Sequence, residues 1–192
     1  MRPPPVEPKR AVDFLRILHN LKATKRTGWV RKGVEGPESI ADHMYRMSVM
    51  AMIAPDDAGG LDRDRCIKLA IVHDIAEALA GDIAPSDNVP KEEKHRLELE
   101  ALTQMTATLG ADTQAALEIG ELWREYESGE TEEARLLKDI DKIEMVLQAL
   151  EYEDAQPGVD LTEFYAAVAG LRTETGRRWG EEILRRRQPR AE

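Results

Sequence analysis

Hydrophobic positions along this chain recur with the spacing of α-helices. Val12, Leu15 and Leu18 lie three residues apart, which places them on one face of a first helix. No segment shows sustained alternation of β-branched residues, so strands are not expected. Further helical patterns cover about residues 39–54, 62–81, 90–110, 112–127, 131–151 and 161 onward. The pattern therefore predicts an all-α fold, a single helical bundle.

Capping and breaking residues indicate where these helices begin and end. Ser39 is a favourable N-cap for the second helix. Asp62 should open a third helix that runs without interruption to Gly81, a typical residue after a helix end. Pro90 suits the first position of the next helix, and Gly110 should end it.

The composition describes one globular domain. The chain has 192 residues, of which 42% are hydrophobic and 33% charged. We expect a flexible, proline-rich leader at residues 1–10 and one domain, with C-terminal helices, at residues 11–188. The single cysteine, Cys66, fits a reducing, cytoplasmic environment. No apolar run approaches the roughly 20 residues that span a bilayer, so we expect no membrane association.

The charge of the chain argues against nucleic acid as a partner. Its formal net charge is −10, whereas general nucleic-acid binding depends on neutralising phosphates with basic residues. The basic residues at positions 177–187 are interpreted as a solvated helix face.

Two of the histidines stand beside an aspartate inside an apolar segment. His43 occurs in "SIADHMYRMSVM", and His73 occurs in "LAIVHDIAEAL". A buried Asp74 without a partner would cost several kcal/mol, so it should pair with an arginine such as Arg46 or bind a metal. Of the other two histidines, His19 is expected to cap or pack in the first helix, and His95 is expected at an exposed helix position.

A second acidic pair, in "LLKDIDKIEMVLQALEYE", favours the metal. There Asp139 and Asp141 interrupt an apolar helical face. Two neutral imidazoles and two carboxylates balance one divalent ion and leave positions for water and substrate. The ordered set of a histidine, a His-Asp pair and a later aspartate thus predicts a site for Mn, Co, Mg, Fe, Ni or Zn.

Glu77 has the spacing of a group that acts beside such a metal. It lies four residues after His73 and three after Asp74, so the three side chains should share one helix face. A carboxylate there can hold or deprotonate a water molecule. The alternative is a solvent-exposed ion pair, but no basic residue stands at position 73 or 81 to form it.

Three longer motifs carry a family resemblance. They are "RTGWVRKGVEGPESIADHMYRM", "HDIAEALAGDIAPSDNVPKEEKH" and "ELWREYE", and the likeness runs from about Phe14 to Glu153. This chain resembles the HD-domain metal-dependent phosphohydrolases, in the branch that contains the 5′-deoxynucleotidases. The resemblance implies that Glu77 is the catalytic residue and that one divalent metal ion is bound by His43, His73, Asp74 and Asp141.

The same resemblance implies the substrate contacts. Asp82 should contact the sugar, and it can at the same time form an Asx-turn in its loop, which is its plain structural role. Trp29 should shape the sugar pocket and disfavour a 2′-hydroxyl, although it could instead plug the core. Some bacterial members carry an arginine directly before that aromatic, where this chain has Gly28. Three other cations are therefore candidates for the phosphate contact: Arg26, Lys25 and Arg46.

Two further acidic residues are assigned lesser roles. Asp139 is expected to be a salt-bridge partner rather than a ligand, because it lies on another helix face from Asp141. The resemblance places Glu125 near the site, where an ordinary solvated position is the alternative.

The reaction implied is hydrolysis of a deoxyribonucleoside 5′-monophosphate to deoxynucleoside and phosphate. Alarmone hydrolysis is an alternative, but enzymes of that type usually have a second acid where this chain has Ala78. Cyclic-nucleotide hydrolysis would require more histidines, and a catalytically idle nucleotide-binding module would not require the full set of acidic and histidine residues.

We also expect a homodimer, because the last helices carry more apolar residues than one core face requires. The surplus consists of Leu147, Ala149, Leu150, Phe164, Tyr165 and Val168.

Overall fold

The computed structural model describes residues 3–56 and 59–187, and these residues form an all-α bundle without strands. Among them, no helix is both long and apolar enough to cross a lipid bilayer. The helices are α1 (Pro8–Ala23), α2 (Thr27–Arg31), α3 (Ile40–Ile53), α4 (Arg63–Val72), α5 (Glu77–Ala80), α6 (Lys91–Leu109), α7 (Gln114–Ser128), α8 (Glu132–Ala155) and α9 (Glu174–Arg187). Two 3₁₀ segments, Pro85–Asp87 and Thr162–Gly170, complete the regular structure of these ranges.

Helix α8 is the central element of the bundle. It packs against α3, α4, α7, α9 and the second 3₁₀ segment, while α1 covers α3, α5 and α6 from the other side. The α8 side chains that face these neighbours are almost fully buried, among them Leu137, Ile140, Ile143 and Val146. A residue on this inner face of α8 is therefore held on several sides by other helices.

The capping residues behave largely as the sequence predicts. The Ser39 hydroxyl accepts a hydrogen bond from the Asp42 amide at 3.2 Å, and the Asp42 carboxylate accepts one from the Ser39 amide at 2.8 Å. This reciprocal capping box fixes the start of α3. Helix α6 begins directly after Pro90 and ends at Gly110, close to the predicted bounds.

The predicted uninterrupted helix from Asp62 to Gly81 is wrong, because the chain leaves α4 at Val72 and forms turns before α5. The cause is His73, whose Nδ1 lies 2.9 Å from the Ala70 carbonyl oxygen. An uninterrupted helix would offer that oxygen to the amide of Asp74 instead. The side chain thus competes with the backbone, and the helix ends where the His-Asp pair stands.

Three other expectations about boundaries need correction. Helix α1 begins at Pro8, so the last part of the expected leader is helical, and Arg10 donates a hydrogen bond to the Ala107 carbonyl at 3.1 Å. The loop expected to follow α1 contains the short helix α2. The helix expected from residue 161 onward is a 3₁₀ segment followed by α9.

Asp139 explains why α9 begins where it does. Its Oδ2 accepts hydrogen bonds from the amides of Arg172 and Thr173, at 2.8 and 2.7 Å, and from the Thr173 hydroxyl at 2.8 Å. The expected salt bridge is a minor contact, because the nearest ammonium, that of Lys142, lies 3.9 Å away. Asp139 is therefore an anchor for the backbone before α9.

The apolar surplus that suggested a dimer is used inside the chain. Ala149, Leu150 and Tyr165 are buried, and the remaining three residues of that set pack against the core from partly buried positions. The apolar side chains left exposed on α3 and α4 are found on another face, and they include Tyr45, Met52 and Ile71.

Replacing Gly176 with alanine should lower the free energy of unfolding by about 1–3 kcal/mol. The added Cβ would lie 2.5 Å from the Asp139 Oδ2, which three hydrogen bonds already hold in place. Chemical denaturation of the wild type and the variant measures the difference.

The matched control is Gly120→Ala on α7, where the added Cβ would meet only the end of the Arg124 side chain at 3.3 Å. This change should leave stability unaltered or raise it by up to about 1 kcal/mol, because alanine favours helices. Equal stability of Gly176→Ala and the wild type would contradict the role given to Asp139.

Candidate metal centre and substrate pocket

Four side chains from three elements converge inside the bundle. His43 comes from α3, His73 and Asp74 from the turn after α4, and Asp141 from α8. The Nε2 atom of His43 lies 3.3 Å from the Nε2 of His73, 3.3 Å from the Asp141 Oδ1 and 3.8 Å from the Asp74 Oδ2. The His73 Nε2 lies 3.1 Å from the Asp74 Oδ2. The structure therefore brings the whole predicted ligand set together.

The histidines present the nitrogen that a metal ligand needs. A carbonyl oxygen can only accept, so the Nδ1 of His73 carries the proton that it donates to Ala70, and its Nε2 lone pair faces the cluster. The Nδ1 of His43 likewise lies 2.5 Å from the Glu144 Oε2, which fixes the same tautomer. This donor set fits a divalent ion, since ligands about 2.1 Å from one ion and at right angles lie about 3 Å apart.

The two aspartates are ionised. Burial alone would raise the pKa of Asp74, but His73, Arg26 and His43 outweigh it and hold that pKa well below the usual value. The same groups outweigh burial at Asp141 and lower its pKa as well. If both imidazoles lost their extra proton to act as ligands, the two carboxylates would balance the charge of one divalent ion.

Glu77 is a buried carboxyl group at the start of α5. Its side chain is 3% exposed, and its Oε2 has no hydrogen-bond partner among the described residues. Burial, together with the negative charges of Asp74 and Asp82, raises the pKa of Glu77 well above its usual value. A buried carboxyl oxygen without a partner is costly, so the atom is suited to a water molecule or substrate that enters the site.

A cavity of about 260 Å³ lies beside the cluster, and we call it the substrate pocket. Its acidic side consists of Asp74, Glu77, Asp82 and Asp141. Its cationic groups are Arg26, Lys94 and Lys142, and its apolar wall includes Trp29, Met145 and Phe164. The pocket therefore combines a metal-type cluster, three positive charges and an apolar surface.

Asp82 and Arg26, two of the residues predicted to contact substrate, both line the pocket. Gly81, with φ of +78°, turns the chain sharply after α5 and directs it along the pocket. The Asp82 side chain then accepts a hydrogen bond from the Thr27 amide at 2.5 Å, which ties the first residue of α2 to this turn. Arg26 lies 3.3 Å from the Asp74 Oδ2 and is mostly buried.

Trp29 is buried in the core at the edge of the substrate pocket. The residue is 1% exposed, and its indole N–H donates to the Glu38 carboxylate at 2.9 Å. Its ring packs against Phe164, with centroids 4.5 Å apart, and against Tyr152 at 5.4 Å. Trp29 is thus a core residue that also contributes to the pocket wall.

Three predicted or suspected residues do not line the pocket. Arg46 instead donates to Glu144 at 2.8 Å and to Glu151 at 2.6 Å, which places it behind His43. Lys25 is exposed. Glu125 accepts hydrogen bonds from Arg65 and Thr131, at 2.7 Å each, on the far side of α7.

Four residues of the site were not singled out from the sequence. Glu144 orients His43, and the Tyr126 hydroxyl donates to the Asp141 Oδ2 at 2.9 Å. Lys94, whose Nζ donates to the Ile83 carbonyl at 3.1 Å, and Lys142 supply positive charge to the pocket. A signal existed for Glu144, because it stands three residues after Asp141 and so on the same face of α8.

A family model described as HD domain matches residues 18–176 of this chain. The chain therefore belongs to the HD domain family, in agreement with the all-α bundle and with the cluster of two histidines and two aspartates.

Similar proteins match over most of the chain. The mouse protein named 5′-deoxynucleotidase HDDC2 is 55% identical over 159 residues, 82% of this chain and 77% of the mouse protein. The Schizosaccharomyces pombe protein named 5′-deoxynucleotidase hdd1 is 47% identical over 181 residues, 92% of this chain and 90% of the yeast protein. The crystal structure of PH0347 from Pyrococcus horikoshii superposes with a TM-score of 0.74 at 32% identity, covering 92% of this chain and 97% of that one.

Replacing Glu144 with glutamine should lower the affinity for a divalent metal about 10- to 100-fold. The amide keeps the size of the side chain but removes the charge that orients His43 and favours donation from its Nδ1. Titration of the purified protein with Mn²⁺ against a competing chelator measures the change.

Glu151→Gln is the control, since Glu151 also bonds to Arg46 but is half exposed and does not contact His43. Its metal affinity should stay within about twofold of the wild type. A Glu144→Gln protein with unchanged metal affinity would exclude Glu144 as the orienting group.

Proposed function

We propose that this chain is a metal-dependent phosphomonoesterase that hydrolyses deoxyribonucleoside 5′-monophosphates to deoxynucleoside and phosphate. The observation that carries the proposal is the buried cluster of His43, His73, Asp74 and Asp141, which opens into a pocket with three cations. The names of the mouse and yeast relatives, both 5′-deoxynucleotidases, support the same reaction.

The four cluster residues would hold one divalent ion, which supplies Lewis-acid polarisation of the phosphoryl group when bound. Glu77 holds the attacking water through its free Oε2 and takes a proton from it. Because the pKa of Glu77 is raised, the protonated carboxyl can then pass a proton to the 5′-oxygen as the P–O bond breaks.

The three pocket cations provide for the phosphate dianion. Arg26, Lys94 and Lys142 face Asp74, Asp82 and Asp141, and the fourth acid, Glu77, has a raised pKa, so without a metal ion the charges of the pocket nearly cancel. A bound divalent ion would give the pocket an excess of positive charge that attracts phosphate. Arg26 is best placed for phosphoryl oxygens, since its guanidinium already reaches Asp74.

The alternatives have less support. Alarmone hydrolysis would call for a second acid at position 78, where this chain has alanine. Ala78 is buried, and its carbonyl accepts a hydrogen bond from Asn20 at 2.8 Å, so this position faces the core. His95 stacks on Trp123, away from the cluster, and His19 is exposed on α1, so neither extends the site towards a second metal. An idle module would leave the unpartnered Glu77 without a role.

The identity of the metal and a cytoplasmic location stay predictions.

The homodimer also stays a prediction. We propose the exposed apolar groove between α1, α3 and α4 as the contact with a second copy. Tyr45 is 73% exposed there, Met52 58% and Ile71 51%. Light scattering at micromolar concentration should give a dimeric mass, and Tyr45→Glu should reduce it to that of a monomer. A monomeric wild type would contradict the dimer.

Substitutions in the cluster should separate metal binding from turnover. His43→Ala, Asp74→Ala and Asp141→Ala should each lose bound metal and phosphate release together, because each removes a ligand. Glu77→Gln should keep its metal and lose about 10²-fold or more in kcat for dAMP. Metal content by plasma emission spectrometry, together with phosphate release, measures both.

Two outcomes of this series would be decisive against the assignments. Stoichiometric metal in the purified Asp74→Ala protein would remove Asp74 from the ligand set. Near-normal turnover of Glu77→Gln would remove Glu77 from the mechanism.

The enzyme should prefer dAMP to AMP by about 5- to 150-fold, since burying a 2′-hydroxyl without a partner costs about 1–3 kcal/mol. The reason is the apolar wall of Trp29, Met145 and Phe164. Specificity constants measured with the two nucleotides in competition give the ratio.

Trp29→Phe should narrow this preference, and it avoids the large core cavity that alanine would leave at a residue 1% exposed. Tyr152→Phe is the control, because the Tyr152 ring also contacts Trp29 but does not line the pocket. This variant should keep the wild-type preference for dAMP over AMP. Equal specificity constants for dAMP and AMP in the wild type would refute the selectivity without refuting the phosphatase.

A further inference from the structure

A second cavity, of about 370 Å³, reaches the metal cluster from another direction. It shares Asp141 and Lys142 with the substrate pocket and extends under the turn between α7 and α8, at Ser128 and Gly129. We call it the basic cavity. Asp141 therefore stands between two openings, of which only the substrate pocket has an apolar wall.

The basic cavity has an excess of positive charge, in a chain whose formal net charge is −10. Its cationic side chains are Arg135, Lys138, Lys142 and Arg172. Among the described residues, neither Arg135 nor Arg172 has a carboxylate within salt-bridge distance of its guanidinium. The ammonium of Lys138 lies over the Tyr126 ring, 4.2 Å from its centroid.

The two carboxylates in the lining do not neutralise these cations. Asp139 accepts hydrogen bonds from the backbone and the hydroxyl group before α9, and its distance to Lys142 is 3.9 Å. Asp141 accepts the Tyr126 hydroxyl and belongs to the metal cluster. Arg135 and Arg172 have no carboxylate partner among the described residues and lie near a cluster suited to a divalent cation, so this part of the cavity is a candidate site for an anion.

We propose that the basic cavity binds a phosphoryl anion, and that it is the route by which product orthophosphate leaves the metal centre. This proposal rests on the proposed function, because that reaction generates phosphate next to Asp141 and Lys142. The deoxynucleoside lies against the apolar wall of Trp29, Met145 and Phe164 and closes the substrate pocket, whereas none of these three residues lines the basic cavity, which carries four cationic side chains. A second nucleotide could supply the same phosphoryl chemistry from outside, and the experiment separates the two sources.

The test is equilibrium dialysis of the metal-loaded protein with labelled orthophosphate, for the wild type and for Arg135→Gln/Arg172→Gln. Both arginines are exposed and outside the ligand set, so the double variant should fold and keep its metal. We expect the dissociation constant for orthophosphate to rise about 5- to 10-fold, as loss of two charged contacts at a partly solvated site implies. Arg178→Gln, an exposed arginine outside both cavities, should change nothing.

Product inhibition then distinguishes the source of the anion. If orthophosphate is the ligand, its inhibition constant should rise in the double variant while that of deoxyadenosine and the KM for dAMP stay within about twofold. If a second nucleotide is the ligand, dATP should alter dAMP hydrolysis in the wild type but not in the double variant. The binding site would then stand, and the exit route would be overturned.

Unchanged orthophosphate binding and unchanged dATP response in the double variant would overturn the site itself. Dialysis needs no turnover, so this result differs from failure of the proposed reaction. A wild type that binds phosphate through the two arginines but releases none from dAMP would contradict the reaction and leave the anion site in place.

Discussion

The buried contact between His43 and Glu144 is the interaction on which the site depends. Both side chains are fully buried, and an isolated carboxylate at that depth would be costly. Arg46 compensates for it by donating to Glu144 at 2.8 Å and reaching Glu151 at the surface. This chain of contacts fixes α3 against α8, and it sets the tautomer of His43. The ligand geometry is thus a consequence of how two helices pack.

Much of this arrangement could be predicted from the sequence. The all-α class and the Ser39 cap follow from periodicity and capping chemistry, whereas the set of His43, His73-Asp74 and Asp141 is implied by the resemblance to HD-domain phosphohydrolases. These features are local, or they involve residues whose chemistry leaves few alternatives.

What could not be predicted depends on contacts that periodicity does not represent. The break at His73 arises because one imidazole competes with an amide for the Ala70 carbonyl. Arg46 serves Glu144 rather than phosphate, and this choice is made by the packing of α3 on α8. Lys94 and Lys142 reach the pocket only because α6 and α8 turn those faces inward, and charged residues on a helix are ordinarily solvated.

The separation of charge within the molecule underlies the selectivity that we propose for the site. An acidic chain repels anions over most of its surface. Arg135 and Arg172, which lack a carboxylate partner among the described residues, line the same basic cavity as Asp141. A phosphate-bearing ligand therefore meets a favourable potential mainly where the metal cluster opens. The apolar wall formed by Trp29 and Phe164 stands on only one of those openings, so a nucleoside and a free phosphate experience different surfaces on either side of the same aspartate. In the proposed reaction, charge alone would admit any phosphate, and the apolar wall would favour a phosphate that carries a sugar and a base.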